Sequence, residues 1–152
     1  MKKQKILSIF LWALFAAAIA GLIFWVASLP KISQGEFISK NGLHWHSTLH
    51  IKIKGDEFAV PAGIGLGAVH NPIHTHDPDN AIHLEFSGIV RKEDLAIRNF
   101  FKVWGKDFSK DSILGNKTGD GGTVKMLVNG KENTEFENYL MQDGDKIEII
   151  YE

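Results

Sequence analysis

From Ile6 to Leu29 the chain runs without a charged residue, with Ser8 and Ser28 the polar side chains among Ile, Leu, Phe, Trp, Ala, Val and one glycine. This stretch constrains everything that follows it. A helix of ~20 apolar residues crosses the hydrocarbon core of a bilayer, and one that is apolar all round needs either a large core or lipid to cover it. Lys2, Lys3 and Lys5 sit against one end of the run, and the other end has Lys31 nearby. Basic residues stay on the cytoplasmic side, so the expected topology is a single-pass signal anchor with the N-terminus inside and the remainder extracytoplasmic. The alternative is a cleaved signal peptide, whose apolar region is usually ~7–15 residues and ends at a small-x-small site. This run is longer, and Ala27-Ser28-Leu29-Pro30 is a poor cleavage site.

With 152 residues, the chain has room for one compact domain besides the anchor. The expected division is a cytoplasmic tip and anchor over 1–30, a tether over 31–41 and an α+β domain over 42–152. Of 17 Lys and Arg, three precede the apolar run, which leaves 14 against all 18 acidic residues beyond it. That balance disfavours nucleic acid as a partner. The chain has no cysteine, so disulfides, lipid attachment through cysteine and thiolate chemistry are excluded, and a soft metal would have to rely on imidazole.

Alternation from His44 to Lys54, with Trp45, Leu49, Ile51 and Ile53 apolar, predicts a strand that turns at Lys54-Gly55-Asp56-Glu57 into Phe58-Ala59-Val60. Pro61 to Asn80, with three glycines at 63, 65 and 67 and prolines at 72 and 78, reads as an irregular loop, and long loops in small domains are often functional. Ala81–Phe86 should be a strand. Arg91–Trp104 has the spacing of an amphipathic helix, capped at Gly105, with Leu95, Ile97, Phe100, Phe101 and Trp104 on its apolar face. Lys106–Gly122 reads as a polar surface connection with a short turn near Ile113-Leu114. Strands are expected at Thr123–Val128 and Lys146–Tyr151, with an Asn129-Gly130 hairpin turn after the first and an Asp143-Gly144-Asp145 turn before the second. The order predicts an α+β domain.

All seven histidines lie between His44 and His83. His44, His46 and His50 share parity along one predicted strand, so their side chains leave one face, ~3.3 Å of rise per residue apart along the chain. A second H-x-H pair, His74 and His76, stands in the Gly- and Pro-rich loop, and His83 with Glu85 repeats the same-face geometry on the next strand. Zinc and copper sites gather three or four imidazoles or carboxylates from separate segments. The predicted ligands are therefore His44, His46, His74, His76 and His83. His50, His70, Asp77 and Glu85 form an outer group. Asp77 and Glu85 either bind metal or orient a ligand histidine, and Asp77 could equally cap the Pro78-Asp79-Asn80 turn. Solvated histidines without metal, or a pH-sensing cluster, are the plainer alternatives.

The segments GLHWH, VPAGIG, PIHTHDPDNAIHLEF and FFKVWGKDF resemble shared segments of a group of small His-rich bacterial and archaeal proteins, anchored or secreted, over roughly Gly42 to Tyr151. The resemblance implies His44, His46, His74, His76 and His83 as the functional set, gives His50 and His70 no place in the pattern, and implies no reaction. The closing stretch VNGKENTEFENYLMQDGDKIEIIYE resembles the end of β-grasp domains, which says nothing about function. A partial similarity to the H-x-H site of cupins also exists, although no carboxylate follows His46 at the cupin distance.

The leading expectation is a membrane-tethered metal-binding protein that serves binding, delivery or electron transfer. Met126 and Met141 are far from the histidines in sequence, which favours zinc or Cu(II) over Cu(I). A metal-dependent enzyme with an open histidine site, hydrolase- or cupin-like and with Glu85 or Asp77 as base, is the second reading. No H-E-x-x-H helix, nucleophile elbow or phosphate loop occurs to name a substrate or a reaction class. The third is a metal-free scaffold that meets another membrane protein through Phe100, Phe101 and Trp104.

Overall fold

A run rich in leucine and alanine without proline favours helix, and in the computed structural model, which describes residues 2–29 and 37–152, it forms helix α1 (Lys2–Ser28). Every described side chain from Gln4 to Leu29 is exposed. The 25 residues of Gln4–Ser28 make this helix long and apolar enough to cross a membrane, since ~1.5 Å per residue gives about 37 Å against a ~30 Å hydrocarbon core. The expected tether, 31–41, lies outside the described residues as far as 36. Its last part is not a plain tether. Phe37–Ser39 forms strand β1, which pairs antiparallel with β6 (Val90–Arg91), and the Arg91 guanidinium lies 5.9 Å from the Phe37 ring centre.

The second compact unit is organised around strand β2 (Leu43–Ile53). Its alternating pattern buries Ser47, Leu49 and Ile51 on one face and turns His44, His46, His50 and Lys52 to the other. On one edge β2 pairs in parallel with β12 (Lys146–Tyr151), which pairs antiparallel with β10 (Val124–Val128), itself joined to β11 (Lys131–Glu132) through the Asn129-Gly130 turn. Both turn residues have positive φ, 53° and 78°, the backbone that a tight hairpin of the observed hand requires. The opposite edge of β2 is shared. Its first half pairs with β5 (Ala81–Phe86), which carries β4 (Ile73–His74), and its far end turns back into β3 (Asp56–Phe58). Among the described residues this gives an open mixed sheet of seven strands rather than a barrel.

The covered face of the sheet holds the core, in which Leu49, Ile51, Ile82, Leu84, Ile147 and Ile149 cluster with Phe100, Phe101, Ile113 and Met141. Phe100 is fully buried, so truncation to Ala would cost ~3–5 kcal/mol. The aromatic stripe expected to serve a scaffold is therefore interior: Phe100 and Phe101 are buried, and Trp104 is partly buried against the same core.

Three expectations need correction. The helix over Arg91–Trp104 is in two pieces, a 3₁₀ turn at Lys92–Leu95 and α2 at Ile97–Trp104. Ala96 between them is extended (φ −64°, ψ 131°) because the backbone there bonds to another segment. Ile97 N–H donates to the Tyr139 carbonyl at 2.9 Å, and Met141 N–H donates to the Leu95 carbonyl at 3.0 Å. Lys106–Gly122 is not a bare connection but a small antiparallel sheet of β7 (Phe108–Ser109), β8 (Ser112–Ile113) and β9 (Asn116–Lys117), anchored by buried Phe108 and Ile113. The loop Pro61–Asn80 contains β4, so His74 lies on a strand.

Candidate metal centre

Pairing register assembles the centre. His46 stands opposite His83 on β5, and His83 stands opposite His74 on β4, so three adjacent strands place one imidazole each in a single cross-strand row. In the next row His44 faces Glu85. His76 follows β4 by two residues and closes on the same group, its ring centre 4.6 Å from that of His83. His44, His46, His83 and Glu85 leave the sheet face opposite the core, and His74 shares their row although it is itself buried.

Within each H-x-H pair the Nε2 atoms converge, at 3.2 Å for His44 and His46 and at 3.0 Å for His74 and His76. Two imidazoles on one tetrahedral zinc, each at ~2.0–2.1 Å, have nitrogens about 3.3 Å apart. The spacing of both pairs thus fits a shared ion. Glu85 Oε1 lies 3.2 Å from His44 Nε2 and 3.7 Å from His83 Nδ1. Donor atoms of His44, His46, His83 and Glu85 lie within 4.8 Å of one another, as do those of His74, His76, His83 and Glu85.

His83, at the middle, carries the clearest sign of a missing partner. Its Nδ1 is the only buried side-chain nitrogen or oxygen among the described residues without a hydrogen bond, a condition that costs ~1–3 kcal/mol when uncompensated. A cation with open coordination positions would satisfy it. Burial, followed by repulsion from His46, His76 and His74, holds the His83 imidazole below the ordinary histidine range. A neutral ring with a free lone pair is the form a metal takes.

Two supports orient the ligands. His74 is almost fully buried, and its Nδ1 lies 2.9 Å from the Asn71 carbonyl. A carbonyl only accepts, so Nδ1 carries the proton and Nε2 presents its lone pair to His76. The glycine-rich loop holds this strand from outside, with Gly63 N–H donating to the Thr75 carbonyl at 3.0 Å and Thr75 N–H to the Ile64 carbonyl at 3.0 Å. Gly65 (φ 76°) comes so close that a Cβ there would lie 2.7 Å from the Ile73 carbonyl oxygen. On the other side, the Asp143-Gly144-Asp145 turn closes the edge of β2 where β12 has not yet begun. Asp143 Oδ1 accepts from His46 N–H at 2.9 Å, and Gly144 N–H donates to the His46 carbonyl at 2.7 Å. Asp145 anchors that turn, accepting from the Tyr139 hydroxyl at 2.6 Å, Gln142 N–H at 2.8 Å and the Asn129 amide at 2.9 Å.

The structure brings together His44, His46, His74, His76, His83 and Glu85. It leaves out three of the outer group. His50 shares the face but bonds to Glu57 through Nδ1 at 2.8 Å. His70 is exposed, with its ring centre 6.3 Å from that of His74, and belongs to neither set of converging donors. Asp77 is also exposed and absent from both sets. The sequence places Glu85 only in the outer group, although its parity with His83 is visible, and gives no role at the site to Asn71 or to the expected Asp143-Gly144-Asp145 turn, whose contributions depend on a backbone carbonyl and on a long-range contact. No known protein family, curated protein or solved structure matches this chain.

Proposed function

We propose that this chain is a membrane-anchored metal-binding protein that holds zinc or copper in an extracytoplasmic histidine centre. The observation that carries this reading is the cross-strand row His46, His83, His74, with the unpartnered Nδ1 of His83 at its middle. Five histidines and one carboxylate would supply the ligands, in keeping with nitrogen-preferring zinc or Cu(II). The basic residues Lys2, Lys3 and Lys5 at the start of α1 support a cytoplasmic N-terminus. The parallel pairing of β12 with β2, each flanked by an antiparallel neighbour, supports a β-grasp-like domain.

His44 keeps 64% of its side-chain surface and Glu85 39%. That openness suits a centre that exchanges its ion with a partner, and it also favours a second reading, metal-assisted catalysis, in which a bound metal supplies Lewis-acid activation of water.

The test is elemental mass spectrometry on the full chain, purified in detergent with a histidine-free tag and no chelator, before and after addition of zinc or Cu(II). Stoichiometric metal that survives desalting is the expected result. Absence of bound metal after both additions overturns the proposal.

A further inference from the structure

The converging donors form two sets rather than one, and this difference sets how many ions the centre takes. One set is His44, His46, His83 and Glu85, and the other is His74, His76, His83 and Glu85. Two ligands of one ion at ~2.0–2.2 Å are at most about 4.4 Å apart, and no set within 4.8 Å contains both H-x-H pairs. The strands that carry His46 and His74, β2 and β4, are separated by β5, a displacement of ~9–10 Å between backbones. Each pair already has its own Nε2 atoms 3.0–3.2 Å apart, the spacing of co-ligands.

We infer that the centre is dinuclear, with one ion on His44 and His46, a second on His74 and His76, and Glu85 between them as the shared ligand. The inference rests on the metal-binding reading above. A carboxylate has two oxygens and can serve both ions. A neutral imidazole has a single lone-pair nitrogen, so His83 completes one shell and leaves the other as two histidines and a carboxylate, a ligand type that keeps open positions. Glu85 is suited to the shared place because it stands opposite His44 in register and two residues from His83 on the same face. A pair of ions with a common carboxylate is the arrangement used for activation of a bound water or for paired redox chemistry.

The test is a metal titration of the full chain in detergent, with zinc and Cu(II) as probes, read by elemental analysis and, for copper, by electron paramagnetic resonance. About two ions per chain are expected, with the copper signal broadened or lost to spin coupling as the second ion enters. His44→Ala with His46→Ala, on the exposed strand, should retain one ion with the uncoupled spectrum of isolated Cu(II). His74→Ala with His76→Ala should do the same, checked for fold by circular dichroism. Glu85→Gln should abolish the coupling and weaken the second ion by at least the ~10–100-fold that loss of an outer-shell partner costs. One ion per chain in the unaltered protein overturns the dinuclear centre while leaving metal binding intact, and no ion overturns both. Two ions with no coupling, unaffected by Glu85→Gln, overturn the shared carboxylate.

Discussion

The two H-x-H pairs have the same spacing but differ in one member. His44 and His46 project from the middle strand of the sheet into solvent, while His74 is almost fully buried and has its tautomer fixed by the Asn71 carbonyl. Ordering a side chain on binding costs ~0.5–1.5 kcal/mol when it is free beforehand and little when it is already packed. Equal motifs therefore need not make equal sites. The pair that contains buried His74 is prepared for an ion at that member, although His76 is exposed, whereas both members of the other pair gain their order from one.

The largest expected effect is on the support of the pair that contains buried His74. Thr75 is buried, its hydroxyl donating to the Pro61 carbonyl at 2.8 Å and accepting from Ile64 N–H at 3.1 Å. Thr75→Val removes both bonds in the interior and should cost ~2–3 kcal/mol of unfolding free energy, measured by denaturant titration of the metal-free chain. Thr48→Val on the strand of the exposed pair loses a longer, part-buried bond to the Asp145 carbonyl, 3.3 Å, and should cost under ~1 kcal/mol. Equal costs would break the contrast.

Next in size is the affinity difference itself. In chelator competition, the ion that remains after His44→Ala with His46→Ala should be held about tenfold more tightly than the ion that remains after His74→Ala with His76→Ala, the equivalent of ~1.4 kcal/mol of ordering already met by packing. The reverse order would mean that exposure, not preparation, sets affinity at this centre.

Why one pair was easier to read than the other follows from the same contrast. The face of His44 and His46 was legible because alternation with Trp45, Leu49 and Ile51 is a local signal. The strand at Ile73–His74 was not. Two residues between glycines and prolines carry no periodicity, and they become a strand because Gly65 allows the loop to approach and because His83 offers a partner edge. The apolar spacing that marks helix α2 runs on through Ala96, where the helix breaks, since the backbone pairing of Tyr139 and Leu140 with this point comes from some forty residues away in the chain. The sheet of β7 to β9 was hidden by its own composition: Phe108 and Ile113 are buried among Lys, Asp and Gly, and the average polarity outweighed two residues that alone do the anchoring. Glu85 was visible as a same-face neighbour of His83, but its position opposite His44 depends on register, which no single strand encodes.

The smallest effect concerns how the exposed pair is held at all. His46 lies where β2 has lost β12 as a neighbour, and the carboxylate of Asp143 takes the N–H that a strand would have taken. That bond is exposed, so water replaces it at modest cost, and Asp143→Ala should weaken the ion on His44 and His46 by only ~0.5–1 kcal/mol, about 2–5-fold. The ion on His74 and His76 should be unaffected, because its strand touches the turn nowhere in the pairing register. Asp143→Asn keeps an acceptor oxygen at the same atom and should restore the affinity, which separates positioning of the His46 backbone from attraction between a carboxylate and a nearby cation. If Asn fails to restore it, the charge of Asp143 acts on the ion directly. If Ala weakens both ions alike, the two pairs share one support, and the distinction between a prepared and an unprepared site no longer holds.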